Sequence, residues 1–281
     1  MIGITESGAT KSDWFFTDGT QTFKIRTSGF NPYYQKEEEI QQILKEELLP
    51  QLTFKVDTLW FYGAGCEPQI NRKKMTAAFS HFLPEAKIHI NHDLYAAARA
   101  LFGDDPGLVC IAGTGSNTCE YDGTNIVRNV NSLGLFMGDE GSGGYLGKLL
   151  IREYIREGLP KPLREKFEEK YTDRTEDIMQ KVYGGKMPSK YLASYAPFLH
   201  ENINDPFIES LVKESFENLF ENCILKYENC RKLPLGFVGS IAYHFEEILQ
   251  QIAKKKGLSV SVIDPSPSEA LVNYHLKKAF S

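Results

Sequence analysis

The pattern that most constrains this chain is one that occurs twice. Near the N-terminus, short apolar stretches at positions 2–4, 13–17 and 22–25 are separated by small-residue breaks, among them Gly8-Ala9 and Asp18-Gly19. The same pattern restarts at position 108. Stretches at 108–112, 118–121 and 126–130 are separated by Gly113-Thr114-Gly115 and Asp122-Gly123. Both trios read as strand, turn, strand.

Alternating helices and strands follow each trio. In the first half, Ile40, Ile43, Leu44 and Leu48 fall at helical spacing ahead of Pro50, predicting a helix over 35–49. A strand is expected at 56–62, then a helix at 71–82 with Met75, Ala78, Phe79 and Phe82 on one face. A strand at 88–90 and a helix at 93–102 complete the half. The second half is mostly helical from 145 to 230. It continues with a strand at 235–238, a helix at 242–256, a strand at 259–263 and a last helix at 269–279. The order β-β-β-α-β-α thus appears twice, with a helical insertion in the second copy, which predicts an α/β chain duplicated in structure and not in sequence. With 281 residues, two domains are expected. The break falls at Asp104-Asp105-Pro106-Gly107. The predicted division is 1–106 and 107–267, with the helix of 268–281 packing back on the first lobe.

Composition narrows the function classes. Hydrophobic residues make up 42% and charged residues 25%, an ordinary folded balance. A net charge of −5 argues against broad nucleic-acid binding, which needs a basic footprint. The five cysteines form no C-x-x-C pair, which argues against a disulfide framework or a zinc site. The start lacks the pattern of a signal peptide, and no stretch of about 20 apolar residues occurs. A cytoplasmic protein without membrane or nucleic-acid partners is the expectation.

Four segments could carry chemistry. Glu6-Ser7-Gly8-Ala9-Thr10-Lys11 follows the first strand and combines small residues with a carboxylate, a hydroxyl and an ammonium. Small residues let backbone N–H groups approach an anion, although a plain hairpin turn explains the segment equally well. Gly113-Thr114-Gly115-Ser116 is a second candidate phosphate turn. It is neither a Rossmann fingerprint nor a Walker A loop. Met137-Gly138-Asp139-Glu140-Gly141-Ser142 sets two acids among glycines, suited to sugar hydroxyls or a hydrated cation. Ser142 or Asp139 could instead cap the helix beginning near Gly143. Asn91-His92-Asp93 ends a strand and starts a helix, so Asp93 is either a general base or an N-cap.

Together these segments resemble the superfamily of actin, hexokinase and the heat-shock ATPases. Within it the chain is similar to the N-acetylglucosamine kinase branch, grouped with the BadF/BadG/BcrA/BcrD ATPases. The resemblance rests on C-I-A-G-T-G-S-N at 110–117, M-G-D-E-G-S at 137–142 and F-V-G-S-I at 237–241. It implies a duplicated ribonuclease-H-like (actin-like ATPase) two-lobe fold with an active-site cleft between the lobes. It also implies an ATP- and Mg²⁺-dependent kinase acting on the primary hydroxyl of an amino sugar, N-acetylglucosamine first, and a homodimer as the assembly. By the same resemblance Asp93 matches the catalytic base, and Glu6 the acid that orients Mg²⁺ through water. Thr10, Lys11, Gly113, Thr114, Gly115 and Ser116 match phosphate-binding positions. Gly239 and Ser240 match the adenosine side, and Asn31, Gly134 and Asp139, with Asp93, the sugar side.

Departures are local. The first turn has Ser7 and Ala9 where the branch has glycines, and Leu133 stands where it has a tryptophan. Two alternatives share the superfamily: an activator ATPase of a radical dehydratase, and a degenerate member that binds ATP without transfer. A sugar-responsive repressor would need a helix-turn-helix ahead of the first turn, where Ile2 already starts a strand.

Overall fold

The computed structural model describes residues 1–8 and 11–279. The chain divides into two compact units, Met1–Asp104 together with the segment from Pro267 onward, and Asp105–Ser266.

The first unit opens with β1 (Ile2–Ser7), β2 (Lys11–Thr17) and β3 (Thr22–Ser28), an antiparallel meander. Helix α1 (Glu37–Ile43) follows; its axis continues as a wider turn over Leu44–Leu48 and a tight one over Leu49–Gln51, which holds Pro50. Then come β4 (Thr58–Gly63), α2 (Gln69–Phe82), β5 (Lys87–His92) and α3 (Asp93–Phe102). The sheet order is β3-β2-β1-β4-β5, and β1, β4 and β5 run parallel.

The second unit repeats this plan with β6 (Gly107–Ala112), β7 (Ser116–Tyr121) and β8 (Ile126–Val130). Next come α4 (Gly134–Met137), α5 (Gly143–Ile155), α6 (Lys161–Lys170), α7 (Thr175–Tyr183), α8 (Pro188–Ala193), α9 (Ala196–Glu201) and α10 (Pro206–Asn222). Strand β9 (Leu235–Val238), α11 (Ser240–His244), α12 (Glu246–Lys255) and β10 (Val260–Asp264) complete it. The order β10-β9-β6-β7-β8 mirrors the first sheet. The helix expected over 242–256 therefore starts earlier, at Ser240, and breaks at Phe245, whose φ of −112° and ψ of 27° leave the helical region.

Alternation along β1 and β2 explains the packing of the first sheet. Trp14 and Phe16 point to one face, where they join Phe30, Phe61 and Phe79 beneath α1 and α2. Trp14 and Phe30 meet edge to face at 6.0 Å, and the Trp14 indole N–H donates to Thr27 Oγ1 at 2.9 Å. Ile4, Phe15 and Tyr62 point to the other face. There they pack with Ala96 on α3 and with Leu271 and Val272 on α13 (Ser268–Ala279). In the second unit one continuous core joins β6 and β9 to α5, α10 and α12 through Leu108, Leu149, Phe216, Phe237 and Leu249. No helix among the described residues is long and apolar enough to cross a membrane.

Helix α13 is fastened by a polar chain through the core. Arg99 donates to the Tyr62 hydroxyl, which lies 2.7 Å from His275 Nε2. Burial pushes the His275 imidazole down to about 3, with Arg99, His89 and Lys278 acting in the same direction. His275 is thus neutral when folded and protonates near 6.5 once unfolded. Its contribution is complete above about pH 6.5 and is lost as pH falls towards 3, at up to about 1.4 kcal/mol per pH unit. Urea unfolding of wild type at pH 7 and pH 5.5 is expected to show this loss, and His275→Gln to flatten it. An equal pH slope in the two proteins would contradict the assignment.

Candidate functional site

The parallel arrangement of β1, β4 and β5 brings their C-terminal ends to one edge of the first sheet. Ser7 pairs with Gly63, and Gly63 with His92. Asp93 is the first residue of α3, directly beyond that edge. His92 holds the N-cap position without a side-chain cap bond, so the Asp93 carboxylate is not consumed in capping. It sits in the first turn, where the helix dipole favours negative charge. Its Oδ1 is buried and accepts no hydrogen bond from the described residues; His92 Nε2 lies 3.2 Å away. The Asn91 side-chain nitrogen is also buried there with no hydrogen-bond partner among them.

Glu6 lies on the same face. Its pKa is raised to about 7, first by burial and then by the Asp13 and Asp93 charges, with Lys11 opposing them. Asp13 was not among the sequence candidates. It pairs directly with Glu6 across β1 and β2, and its carboxylate lies 2.6 Å from Arg26 Nε and 3.4 Å from Lys11 Nζ. The available signal was symmetry, because Glu6 and Asp13 stand equally far from the turn between them. Lys11 opens β2 with its side chain largely exposed. Thr10 lies outside the described residues.

Asn31 sits on the loop between β3 and α1. Its Oδ1 accepts from Tyr33 N at 3.1 Å, and its N–H donates to Gln35 Oε1 at 2.7 Å. This loop belongs to the first unit, as Glu6, Asp13 and Asp93 do.

The second unit gathers its own candidates. The turn from Gly113 to Ser116 links β6 to β7, and Gly113 N donates to Gly115 O at 3.0 Å. The start of α5 is tied to this turn, since Gly143 N donates to Gly113 O at 2.8 Å and Gly144 N to Thr114 O at 3.0 Å. Ser142 is the N-cap of α5 and accepts from Tyr145 N at 3.1 Å. That frees Asp139 from the capping role. Asp139 is buried at a φ of 60°, and Ser116 N lies 3.4 Å from its Oδ1. Burial raises its pKa to about 6, against the Ser116 N–H and the Lys148 charge. Lys148, on α5, also escaped the sequence reading. It donates to Leu135 O at 2.7 Å and lies 4.4 Å from the centre of the Tyr145 ring, tying α4 to α5.

Gly239 completes this group. Its φ of 127° and its closeness to the first turn both require glycine, because a Cβ would stand 2.3 Å from Ala112 O. Ser240 is not in the turn but is the first residue of α11, exposed. Gly134 has a φ of 69° and opens α4, after Leu133 in a left-handed conformation. Of the expected residues, Glu6 and Asp93 in the first unit are close enough to interact, and in the second Asp139 meets Ser116 while Gly239 meets Ala112.

The contrast between two glycines checks this packing. Gly239→Ala is expected to lower the unfolding free energy by about 2 kcal/mol or more. Gly113→Ala meets no atom within 4 Å and should stay within about 0.5 kcal/mol of wild type. Chemical denaturation of both variants decides, and equal effects would contradict the geometry.

No family model and no curated protein matches the chain. Among solved structures, one similar protein comes from Porphyromonas gingivalis and carries the provisional name N-acetylglucosamine kinase. It is 38% identical, with a TM-score of 0.95, over 99% of this chain and 100% of that one. A second provisionally named N-acetylglucosamine kinase, from Chromobacterium violaceum, is 17% identical with a TM-score of 0.72, over 97% of this chain and 98% of its own. A ROK hexokinase from Thermus thermophilus, 14% identical with a TM-score of 0.53 over 98% and 97% of the two chains, shares the fold. The identity to the first of these over almost the whole length places this chain in the N-acetylglucosamine kinase-like family.

Proposed function

We propose that the chain is an ATP-dependent sugar kinase that phosphorylates the primary hydroxyl of an amino sugar, with N-acetylglucosamine the favoured acceptor. The observation that carries this is the cluster of Glu6, Asp13 and Asp93 at one sheet edge, in a chain belonging to this family. An acceptor hydroxyl must lose its proton as phosphoryl transfer proceeds, and a carboxylate with a free oxygen on a rigid helix start suits that task. Asp93 is the group we assign to it. Contacts to other sugar hydroxyls are assigned to Asn31 in the first unit and to Asp139 in the second.

Phosphates need N–H donors and cations more than they need covalent chemistry. In the second unit this role is assigned to the backbone from Gly113 to Ser116, and in the first to Thr10 and Lys11. Gly239 and Ser240 border the nucleoside. The acids also fit a divalent ion. Burial, and after it the Asp13 and Asp93 charges, raises the Glu6 pKa to about 7, and a cation would relieve the charge part of that shift. Glu6 and Asp13, paired across β1 and β2, are the residues that would hold Mg²⁺ through water. The ion supplies charge neutralisation at the phosphates when bound.

ADP release is to be measured with Mg-ATP against a panel of hexoses and amino sugars. Wild type is expected to turn over with an amino sugar. Asp93→Asn is expected to bind ATP normally and to transfer at least about 10²-fold more slowly. Near-wild-type turnover in Asp93→Asn would remove Asp93 as the base. Sugar-independent hydrolysis alone would favour the activator-ATPase alternative.

A further inference from the structure

Two adjacent tyrosines on the loop between β3 and α1 are strongly exposed, Tyr33 at 63% and Tyr34 at 81%. Isolated exposed aromatics are common and need no explanation, and Tyr34 is one of these. Tyr33 differs in how it is supported.

The turn that carries Tyr33 is fixed from within. Tyr33 N donates to Asn31 Oδ1 at 3.1 Å, Tyr34 N and Gln35 N both donate to Asn31 O at 3.0 Å, and Asn31 N donates to Gln35 Oε1 at 2.7 Å. It is also clamped from α2, where Lys74 Nζ donates to Pro32 O at 2.6 Å and to Gln35 O at 3.1 Å. The ring rests on Gly65, just beyond β4. A Cβ at Gly65 would lie 2.8 Å from the Tyr33 ring and 2.9 Å from Asn31 Oδ1, and the φ of 75° there also excludes most side chains. Asn71 Nδ2 holds Gly65 O at 2.8 Å.

Gly65 thereby lets one side of an aromatic ring seat against backbone while most of the ring stays open. The seat lies at the sheet edge already described. Gly63, two residues before Gly65, pairs with Ser7 and with His92. Cys66, the residue after Gly65, is close enough to Asp93 for the carboxylate charge to raise its thiol pKa, after burial has done most.

An exposed ring on a rigid turn loses little further entropy when a ligand covers it. Its flat face matches the C–H face of a pyranose, while the polar rim of the sugar remains free for side chains such as Asn31. We propose that Tyr33 is a specificity-determining platform on which the ring of the acceptor sugar stacks, beside Asn31. This rests on the sugar-kinase assignment above and adds a residue and a recognition mode to it. The acceptor class it selects is a closed pyranose, and an acyclic polyol bearing the same hydroxyls is discriminated against.

Wild type, Tyr33→Ala, Tyr33→Phe and Tyr34→Ala are to be compared with the best sugar of the panel. Tyr33→Ala is expected to raise the sugar KM about tenfold and leave the ATP KM unchanged. Tyr33→Phe should restore the sugar KM, and Tyr34→Ala should not alter it. An unchanged sugar KM in Tyr33→Ala, or an equal rise for ATP, overturns the platform. A second measurement needs no turnover. Tyr33→Trp is titrated with each sugar and with sorbitol in the absence of nucleotide, with Tyr34→Trp as the control. An emission change with a pyranose in Tyr33→Trp alone supports the platform; no change with any sugar, or the same change with sorbitol, overturns it. A protein that gives the emission change but transfers no phosphate refutes the kinase assignment and leaves the platform standing.

Discussion

Two carboxylates placed directly opposite each other across paired strands destabilise a sheet, yet Glu6 and Asp13 are held there by register. The hydrophobic pattern enforces it. A slip of one residue in β2 would turn Trp14 and Phe16 away from the core under α1 and α2 and bring Phe15 in their place. Burial of those three rings outweighs the repulsion of one acid pair. Arg26 and Lys11 offset part of it, but both are largely exposed and such pairs contribute little. Burial first, and then the Asp13 and Asp93 charges, raises the Glu6 pKa to about 7. A charge conflict that the fold maintains is what a cation-binding or catalytic edge requires.

The duplicated sheets solve different chemical problems with one topology. At the end of β1 the first unit presents acids. At the corresponding end of β6 the second presents a turn whose carbonyls are occupied by Gly143 and Gly144. Its acid, Asp139, comes from a separate loop and reaches the turn through Ser116. A phosphate is best met by N–H groups and a hydroxyl proton by a carboxylate, and the two units differ in which of these they present. The helical insertion from α6 to α10 serves a different end. It buries Phe167, Phe198 and Phe216 in the core that backs β6 and α5, and so stiffens the support of the turn.

Much of this was legible in the sequence, and the limits have physical causes. Alternation and glycine breaks located both strand trios, and the start of α3 at Asp93 follows from the strand end at His92. The final sheet orders repeat because the element order repeats. Asp13 escaped because pairing across a turn depends on register, which local pattern leaves undetermined. Lys148 escaped because its partner Leu135 O is brought to it only by the packing of α4 on α5. The early start of α11 at Ser240 escaped because Gly239 reads as a turn residue, whereas its φ of 127° delivers the chain straight into a helix.

Leu133 stands where the resemblance leads one to expect a tryptophan, and its setting explains why the fold tolerates leucine there. The residue has a φ of 61° and is 59% exposed, so its side chain adds little to the core. Substitution there costs the unit little stability and leaves the position to follow the ligand. Its neighbours are under the opposite constraint. Asp139 N donates to Ser132 O at 2.8 Å, and Gly138 leaves no room for a Cβ, which would lie 2.0 Å from that same carbonyl. The loop thus combines a fixed frame, which holds Asp139 against the turn, with a free position at its rim. Where a wall residue is free and its frame is not, ligand preference can shift without loss of the carboxylate geometry.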